Sequence, residues 1–153
     1  MMLEYLLGMS ALAFAEGIRE NVKVVTLECY EDIAKAAKEA FEASSAGHKI
    51  ELRIGKAIDS MKELAKEGRK FDIIFLDTDK EGYKAYYDVA LVEGFFADDG
   101  IIVAHNVLYA FLYDKVDFRG QKLHKFIQYV KNDERVEHVQ LTINEGVSII
   151  RRV

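Results

Sequence analysis

The stretch FLDTDKEGY, residues 75–83, places two aspartates and a lysine within four positions. Asp77, Asp79 and Lys80 directly follow an apolar run that has the composition of a buried strand. Charged groups at the end of a buried strand are not solvated as they would be on a helix surface, so they need partners, a metal ion or a ligand. The stretch therefore marks a candidate functional site.

His105 and Asn106 end the next strongly apolar run along the chain. If the two runs are neighbouring strands, these side chains lie within reach of Asp77. A carboxylate, an imidazole and an amide oxygen together could bind a divalent ion; oxygen ligands suit magnesium or calcium, and the imidazole favours zinc, iron or manganese. Lys80 beside such an ion could act as a general base. The alternative is a purely structural cluster, in which the lysine pairs with either aspartate and Asn106 is a capping residue.

Two further strand ends carry residues typical of nucleotide sites. Glu28 ends VVTLE, and an acid at this position can accept hydrogen bonds from both ribose hydroxyls of a cofactor; alternatively, it is an acidic flank of the helix that follows. Gly55, in IGKA, follows the next predicted strand. An adenine could lie against the backbone there, or the glycine simply forms a turn.

The elements that must position these residues alternate between strand and helix patterns. The predicted strands are VKVVTLE (22–28), KIELRI (49–54), FDIIFLD (71–77), GIIVAH (100–105), VEHVQLTI (136–143) and GVSIIRRV (146–153). The predicted helices cover 30–44, 57–68, 82–96 and 120–133, and a hairpin turn at 144–146 joins the last two strands. This order predicts a doubly wound, Rossmann-like α/β sheet, mostly parallel with a C-terminal antiparallel hairpin, whose ligands lie beyond the carboxyl ends of the strands.

The N-terminal segment LEYLLGMSALAFAEG has leucines and a phenylalanine at helical spacing, no β-branched residue and mostly strong helix formers. It predicts one helix that ends at Gly17. The sheet would then lack a central strand or borrow one from another chain, and the exposed flank would favour self-association, so we expect a homo-oligomer.

Composition narrows the class of protein. The 153 residues predict a single domain, 1–153, and a net charge of -5 with a pI near 5.4 argues against a nucleic-acid partner. No apolar run approaches the roughly 18 residues of a membrane span, and Glu4 with no basic residue before the apolar stretch argues against a signal peptide. The single cysteine, Cys29, excludes an internal disulfide, favours a cytoplasmic location and is expected to be a buried thiol.

Together, VVTLE, FDIIFLDTDKEGY and GIIVAHNVL resemble the class I, S-adenosylmethionine-dependent O-methyltransferases, specifically the cation-dependent caffeoyl-CoA and catechol O-methyltransferase group. Members of that group look like (F/L)-(I/V)-D-A-D-K-x-x-Y, followed by D-N after the next strand. The resemblance implies that Asp77 is a metal ligand and Lys80 the base near the acceptor hydroxyl. It also implies that Glu28 binds the ribose, Ala57 contacts the adenine and Asp79 lies near the cofactor.

The chain departs from the group's pattern at three places. His105 stands where the group has an aspartate, so the implied metal set becomes Asp77, His105 and Asn106. The group carries a helical segment before its first strand, whereas this chain starts almost inside that strand. The glycine-rich loop is replaced by LEYLLGMSAL, which is two residues shorter and leaves Gly8 and Ser10 as the residues that would face the cofactor.

These observations support three functions. The first is an O-methyltransferase that acts on a small hydroxylated aromatic molecule, with LYAFLYD (108–114) either forming a wall for that substrate or packing in the core. The second is a repurposed enzyme, such as a cyclase or isomerase of a secondary metabolite, in which Asp77, Lys80 and His105 do acid–base work. The third is a non-catalytic oligomeric binding module.

Overall fold

The computed structural model describes residues 8–92, 95–109 and 118–153 in full, and the backbone of residues 2–4. The strands are β1 Met2–Glu4, β2 Val24–Glu28, β3 Ile50–Ile54, β4 Phe71–Asp77, β5 Phe96–His105, β6 Val136–Leu141 and β7 Val147–Arg152. The helices are α1 Met9–Gly17, α2 Glu31–Ala43, α3 Ala57–Lys66, α4 Tyr83–Val92 and α5 Phe118–Lys131, with one 3-10 turn at Gly47–Lys49.

The strands form one sheet in the order β3-β2-β1-β4-β5-β7-β6. Strands β1 to β5 pair in parallel, and β7 lies antiparallel to both β5 and β6. This topology confirms the predicted doubly wound α/β fold with its C-terminal antiparallel hairpin. The hairpin turn was also predicted correctly, since Asn144 and Gly146 have positive φ angles of 53° and 88°.

The prediction of one N-terminal helix was wrong in its first part, because Met2–Glu4 is the central strand of the sheet. Its backbone pairs with β2 on one side and β4 on the other, with Glu4 opposite Asp77. Two parallel neighbours offer this segment backbone hydrogen bonds that outweigh its helix propensity. Helix α1 ends at Gly17 as predicted. The argument for a borrowed strand therefore falls, and the homo-oligomer stays a prediction without it.

Two other predictions fail in the described residues. The helix predicted for 82–96 ends at Val92, and Phe96 already belongs to β5, four residues before the predicted start of that strand. Phe96 is fully buried, so the aromatic residue that completed the helical pattern instead packs in the core as part of a strand. Cys29 was predicted to be a buried thiol, but it is exposed because it lies past the end of β2.

The core has one part on each side of the sheet. On one side, Met61 of α3, Tyr87 of α4 and Phe126 of α5 belong to the same buried cluster as Ile74 of β4 and Ile102 of β5. On the other side, α1 and α2 pack against the first strands through a smaller cluster, made of Ala11, Ala15, Val24, Ala37, Phe41 and Ala46. Helices on both sides hold the strands in place, and so fix the positions of the side chains at their carboxyl ends.

The register of β4 and β5 places the candidate site residues side by side. Leu76 pairs with Ala104, so the next residues, Asp77 and His105, end neighbouring strands at the same level. Asn106 then turns the chain with a φ of 59°, a left-handed conformation that is uncommon outside glycine. Among the described residues, no helix has the length and apolar character needed to cross a membrane.

Candidate active site

The ammonium group of Lys80 lies among three oxygens at the carboxyl edge of the sheet. Its Nζ is 2.9 Å from Asp77 Oδ1, 2.8 Å from Asn106 Oδ1 and 2.9 Å from the hydroxyl of Tyr83. An ammonium has three N–H donors, so this arrangement gives each donor one acceptor. The Lys80 and Asp77 side chains are only 16% and 19% exposed, which strengthens the ion pair relative to one in water.

His105 completes this group from the end of β5. Its Nδ1 lies 3.2 Å from Asp77 Oδ2, within ion-pair distance. The two groups are not aligned for a hydrogen bond, and the buried Nδ1 has no hydrogen-bond partner among the described residues. The imidazole also stacks on Phe75, with ring centroids 6.1 Å apart. The four residues that the sequence singled out at these strand ends, Asp77, Lys80, His105 and Asn106, are thus brought together as predicted.

Tyr83 is a member of this cluster that the sequence reasoning missed. The residue is fully buried, and its hydroxyl accepts a hydrogen bond from Lys80 and lies 2.9 Å from the backbone carbonyl of Leu76. Burial and the negative charge of Asp77 raise the pKa of the Tyr83 phenol well above its usual range, so it stays a neutral donor. The available signal was the D-K-x-x-Y pattern of the methyltransferases that the sequence resembles, in which Tyr83 is the tyrosine three residues after Lys80.

Glu145 is a second residue that the sequence reasoning missed. Asn106 Nδ2 donates a hydrogen bond to Glu145 Oε2 at 2.6 Å, which fixes the amide so that its oxygen faces Lys80. Glu145 lies just before β7, and β7 runs antiparallel to β5, so the start of β7 returns to the carboxyl end of β5. That antiparallel hairpin was predicted, and following it to this edge would have found the residue.

A cavity of about 400 Å³ lies beside this cluster, at the carboxyl ends of β2, β3 and β4. Its lining includes Glu28, Gly55, Ala57 and Asp79, which are four of the six residues that the sequence analysis assigned to a cofactor. Tyr86 also lines it. The geometry thus groups the predicted cofactor residues from three strand ends around one opening, next to the Lys80 cluster.

The two carboxylates of the cavity are held differently. Asp79 receives a hydrogen bond from the Gly82 N–H at 2.8 Å and another from the Tyr86 hydroxyl at 2.6 Å. Burial and the bond to Asp79 raise the pKa of Tyr86, which keeps its hydroxyl protonated and donating. Glu28 is almost fully buried and accepts a hydrogen bond from the Tyr30 N–H at 2.8 Å.

Gly8 and Ser10 do not line this cavity. Gly8 has a φ of 74° and immediately precedes α1. An added Cβ there would lie 2.5 Å from the ring of Phe41, so the glycine is required for packing as well as for its backbone conformation. A role for Gly8 and Ser10 toward a cofactor stays a prediction. Residues 5–7 of the shortened loop and 110–114 of the predicted aromatic wall lie outside the described residues, while Leu108 and Tyr109 pack against the core.

The donor groups do not fit a divalent metal ion as they are arranged. The Asp77 and Asn106 oxygens that converge are already bound to the Lys80 ammonium, and His105 offers nitrogen where magnesium and calcium prefer oxygen. Within residues 2–4, 8–92, 95–109 and 118–153, no three His, Cys, Asp or Glu side chains converge as the ligands of a metal would. The predicted metal set is thus brought together, but around an amine.

A sequence model of the O-methyltransferase family matches residues 2–153. The chain belongs to this family, as its motifs predicted. A protein of Dictyostelium discoideum assigned as a caffeoyl-CoA O-methyltransferase is 28% identical over 165 residues, which cover 95% of this chain and 64% of the relative. A catechol O-methyltransferase of Niastella koreensis is 34% identical over 104 residues, which cover 67% of this chain and 46% of the relative.

A solved structure gives the same fold. The SAH-bound methyltransferase of Podospora anserina superposes on this chain with a TM-score of 0.90 at 32% sequence identity. The superposition covers 99% of this chain and 70% of the Podospora protein. The match confirms the Rossmann-like methyltransferase architecture. The chain spans 64% of the length of the Dictyostelium relative, so it corresponds to about two thirds of such a protein.

Proposed function

We propose that the chain is an O-methyltransferase that transfers a methyl group from S-adenosylmethionine to a hydroxyl of a small aromatic molecule. The observation that carries the proposal is that Thr78 and Asp79, which lie between the paired residues Asp77 and Lys80 in the chain, line the same cavity as Glu28. A methyl donor and a proton-handling cluster must be adjacent for methyl transfer to oxygen. Family membership and the SAH in the Podospora structure support this assignment of the cavity.

In this proposal, the cavity binds the nucleoside part of the cofactor. The Glu28 carboxylate, at the end of β2, would accept hydrogen bonds from the ribose hydroxyls. The adenine would lie against the backbone at Gly55 and against Ala57, where α3 begins. Asp79 would bind the cofactor from the opposite wall of the cavity, with its carboxylate oriented by Tyr86.

The Lys80 cluster would handle the acceptor. The acceptor oxygen attacks the methyl carbon of the sulfonium, the carbon–sulfur bond breaks with its electrons going to sulfur, and the hydroxyl proton must leave. Lys80, whose ammonium is held in place by three oxygens, would stabilise the negative charge that develops on the acceptor oxygen through its positive charge rather than through a hydrogen bond. His105 would take the proton as the general base, and Asp77, whose Oδ2 lies 3.2 Å from its Nδ1, would stabilise the imidazolium.

The aromatic acceptor is proposed from two observations. The curated relatives are described as caffeoyl-CoA and catechol O-methyltransferases, both of which act on aromatic hydroxyls. In this chain, Tyr109 lies three residues after Asn106 and is only partly buried where it packs against the core. No divalent ion takes part in the proposed reaction, because the oxygens that would bind it are held by Lys80.

The proposal is tested by isothermal titration of the chain with S-adenosylhomocysteine, followed by methyl transfer from labelled S-adenosylmethionine to catechol and to caffeate. We expect binding that Asp79→Asn and Glu28→Gln both weaken. Glu31→Gln, on the exposed first turn of α2 and outside the residues that line the cavity, is the matched control and should bind like the wild type. Absence of heat with high micromolar cofactor would refute the proposal.

A further inference from the structure

The position of the Lys80 ammonium is the position that a metal ion would take in such a cluster. Its Nζ lies between an oxygen of Asp77 and the amide oxygen of Asn106, at 2.9 and 2.8 Å. These two oxygens come from different strand ends and converge on one point. A point where oxygens from separate elements converge is a cation site, and here the cation belongs to the chain itself.

The partners of the ammonium are themselves fixed, so the site is built around it. The Asn106 amide cannot turn its nitrogen toward Lys80 without losing its bond to Glu145 Oε2, which is 2.6 Å long. Tyr83 is fully buried, and its hydroxyl lies 2.9 Å from the Leu76 carbonyl. The left-handed backbone at Asn106 persists only because its surroundings determine it. Oxygen acceptors held in this way before a cation arrives are the mark of a preorganised site.

The charges of the cluster also argue against a bound divalent ion. Asp77 and Lys80 neutralise each other, and both side chains are less than a fifth exposed. A divalent ion in the same place would have to displace an ammonium from three hydrogen bonds or lie against a like charge. The third neighbouring side chain, His105, contributes a nitrogen atom rather than a second carboxylate, and hard cations such as magnesium bind nitrogen more weakly than carboxylate oxygen.

We propose that the Lys80 ammonium is the resident cation of this site and that the chain works without a divalent metal. The inference concerns the same site as the proposed function, but it rests on that function only for its kinetic part. Metal binding can be measured whether or not methyl transfer is found, so failure of the proposed function and failure of this inference are distinguishable.

The experiment measures Mn²⁺ binding to the whole chain by electron paramagnetic resonance of the unbound ion. The wild type should not bind Mn²⁺ in the micromolar range, and neither Mn²⁺ nor EDTA should change its thermal unfolding. Lys80→Met should create a Mn²⁺ site, because it leaves the Asp77 and Asn106 oxygens without a cation. Adding His105→Asp to that variant should tighten binding by about tenfold or more, since a second carboxylate raises the ligand charge.

Lys84→Met is the matched control. Lys84 also pairs with an aspartate, Asp88, four residues along α4, but its side chain is 54% exposed. Removing it should leave Mn²⁺ binding as in the wild type. Circular dichroism establishes that each variant is folded; if Lys80→Met folds only with Mn²⁺ present, that rescue supports the proposal in the same way as a binding curve.

Two results would overturn the inference. One is micromolar Mn²⁺ binding by the wild type, which would show that the ammonium does not occupy the cation position. The other is a folded Lys80→Met, His105→Asp double variant that binds no Mn²⁺, which would show that the converging oxygens are not a cation site. Once methyl transfer is measured, wild-type turnover should be unchanged by EDTA, and loss of turnover with EDTA would also count against the inference.

Discussion

Replacing Gly82 with alanine tests whether the Asp79 wall of the cavity is tightly packed. Gly82 precedes α4, and its N–H donates to Asp79 Oδ2. An added Cβ would lie 2.3 Å from Tyr86 Cε2 and 2.6 Å from Asp79 Oδ2. Carbon atoms in ordinary contact are roughly 3.5–4.0 Å apart, so the tyrosine ring must move by more than about 1 Å.

The expected cost follows from what resists that movement. Tyr86 is 8% exposed and its hydroxyl is bound to Asp79, so the ring cannot move aside without losing this bond or disturbing the core. Overpacking of this kind costs about 1–3 kcal/mol. For a chain of this length, where 1 kcal/mol shifts the melting temperature by about 2–4 °C, Gly82→Ala should melt roughly 2–12 °C below the wild type.

The assay is urea unfolding of the variant and the wild type, with a thermal melt as a second measurement. Gly17→Ala is the matched control, because Gly17 ends α1 and an added Cβ there meets nothing within 4 Å. Alanine is the better helix former by about 0.5–1 kcal/mol, so this control should unfold at the same or a higher urea concentration. Free energies of unfolding compared in this way agree to roughly 0.3 kcal/mol. If the free energies of unfolding of Gly82→Ala and the wild type differed by less than about 0.3 kcal/mol, the packing argument would be wrong.

Three further predictions follow from other contacts. Tyr86→Phe should weaken S-adenosylhomocysteine binding by about 3–10-fold in calorimetry, because Asp79 loses a hydrogen bond of about 0.5–1.5 kcal/mol. Unchanged affinity would show that Asp79 does not bind the cofactor. Gly8→Ala should lower the free energy of unfolding in urea by more than about 1 kcal/mol, since a left-handed backbone disfavours a Cβ and Phe41 fills its space; a neutral result would contradict this. A hydrogen bond from Arg135 lowers the pKa of Asp133 in the folded protein, so the ionised carboxylate stabilises the fold fully above its ordinary pKa of about 4. This stabilisation is lost as the pH falls toward the lowered folded-state pKa. The difference in unfolding free energy between the wild type and Asp133→Asn should therefore be smaller at low pH, and a difference that does not change with pH would refute the assignment.

The strand ends of this site could be predicted because β4 and β5 have unambiguous patterns. Both are nearly continuous runs of β-branched and aromatic residues, and parallel neighbours bring their ends to one edge. That rule, applied to the sequence, was enough to predict that Asp77 lies near His105 and Asn106. The same rule placed Glu28 and Gly55 at the edge where the cavity is found.

The N-terminal segment could not be predicted because its local preferences and its tertiary environment disagree. Met2–Glu4 consists of helix formers, and it becomes a strand only because β2 and β4 leave a gap of one strand between them. No pattern within three residues carries that information. The roles of Tyr83 and Glu145 were missed for another reason: they depend on where side chains point after the chain has turned, which residue type alone does not specify.

The three residues of β1 have a consequence for how ligands would act on this protein. In the described sheet, β3 and β2 connect to β4, β5, β7 and β6 only through β1. Of the residues that line the cavity, Glu28 and Gly55 lie on the β2 side of β1, and Asp79 lies on the β4 side. A molecule bound there would contact both parts of the sheet and stabilise their pairing with β1. Apart from the residues that line the cavity, Met2–Glu4 should therefore gain the most protection from hydrogen exchange on binding.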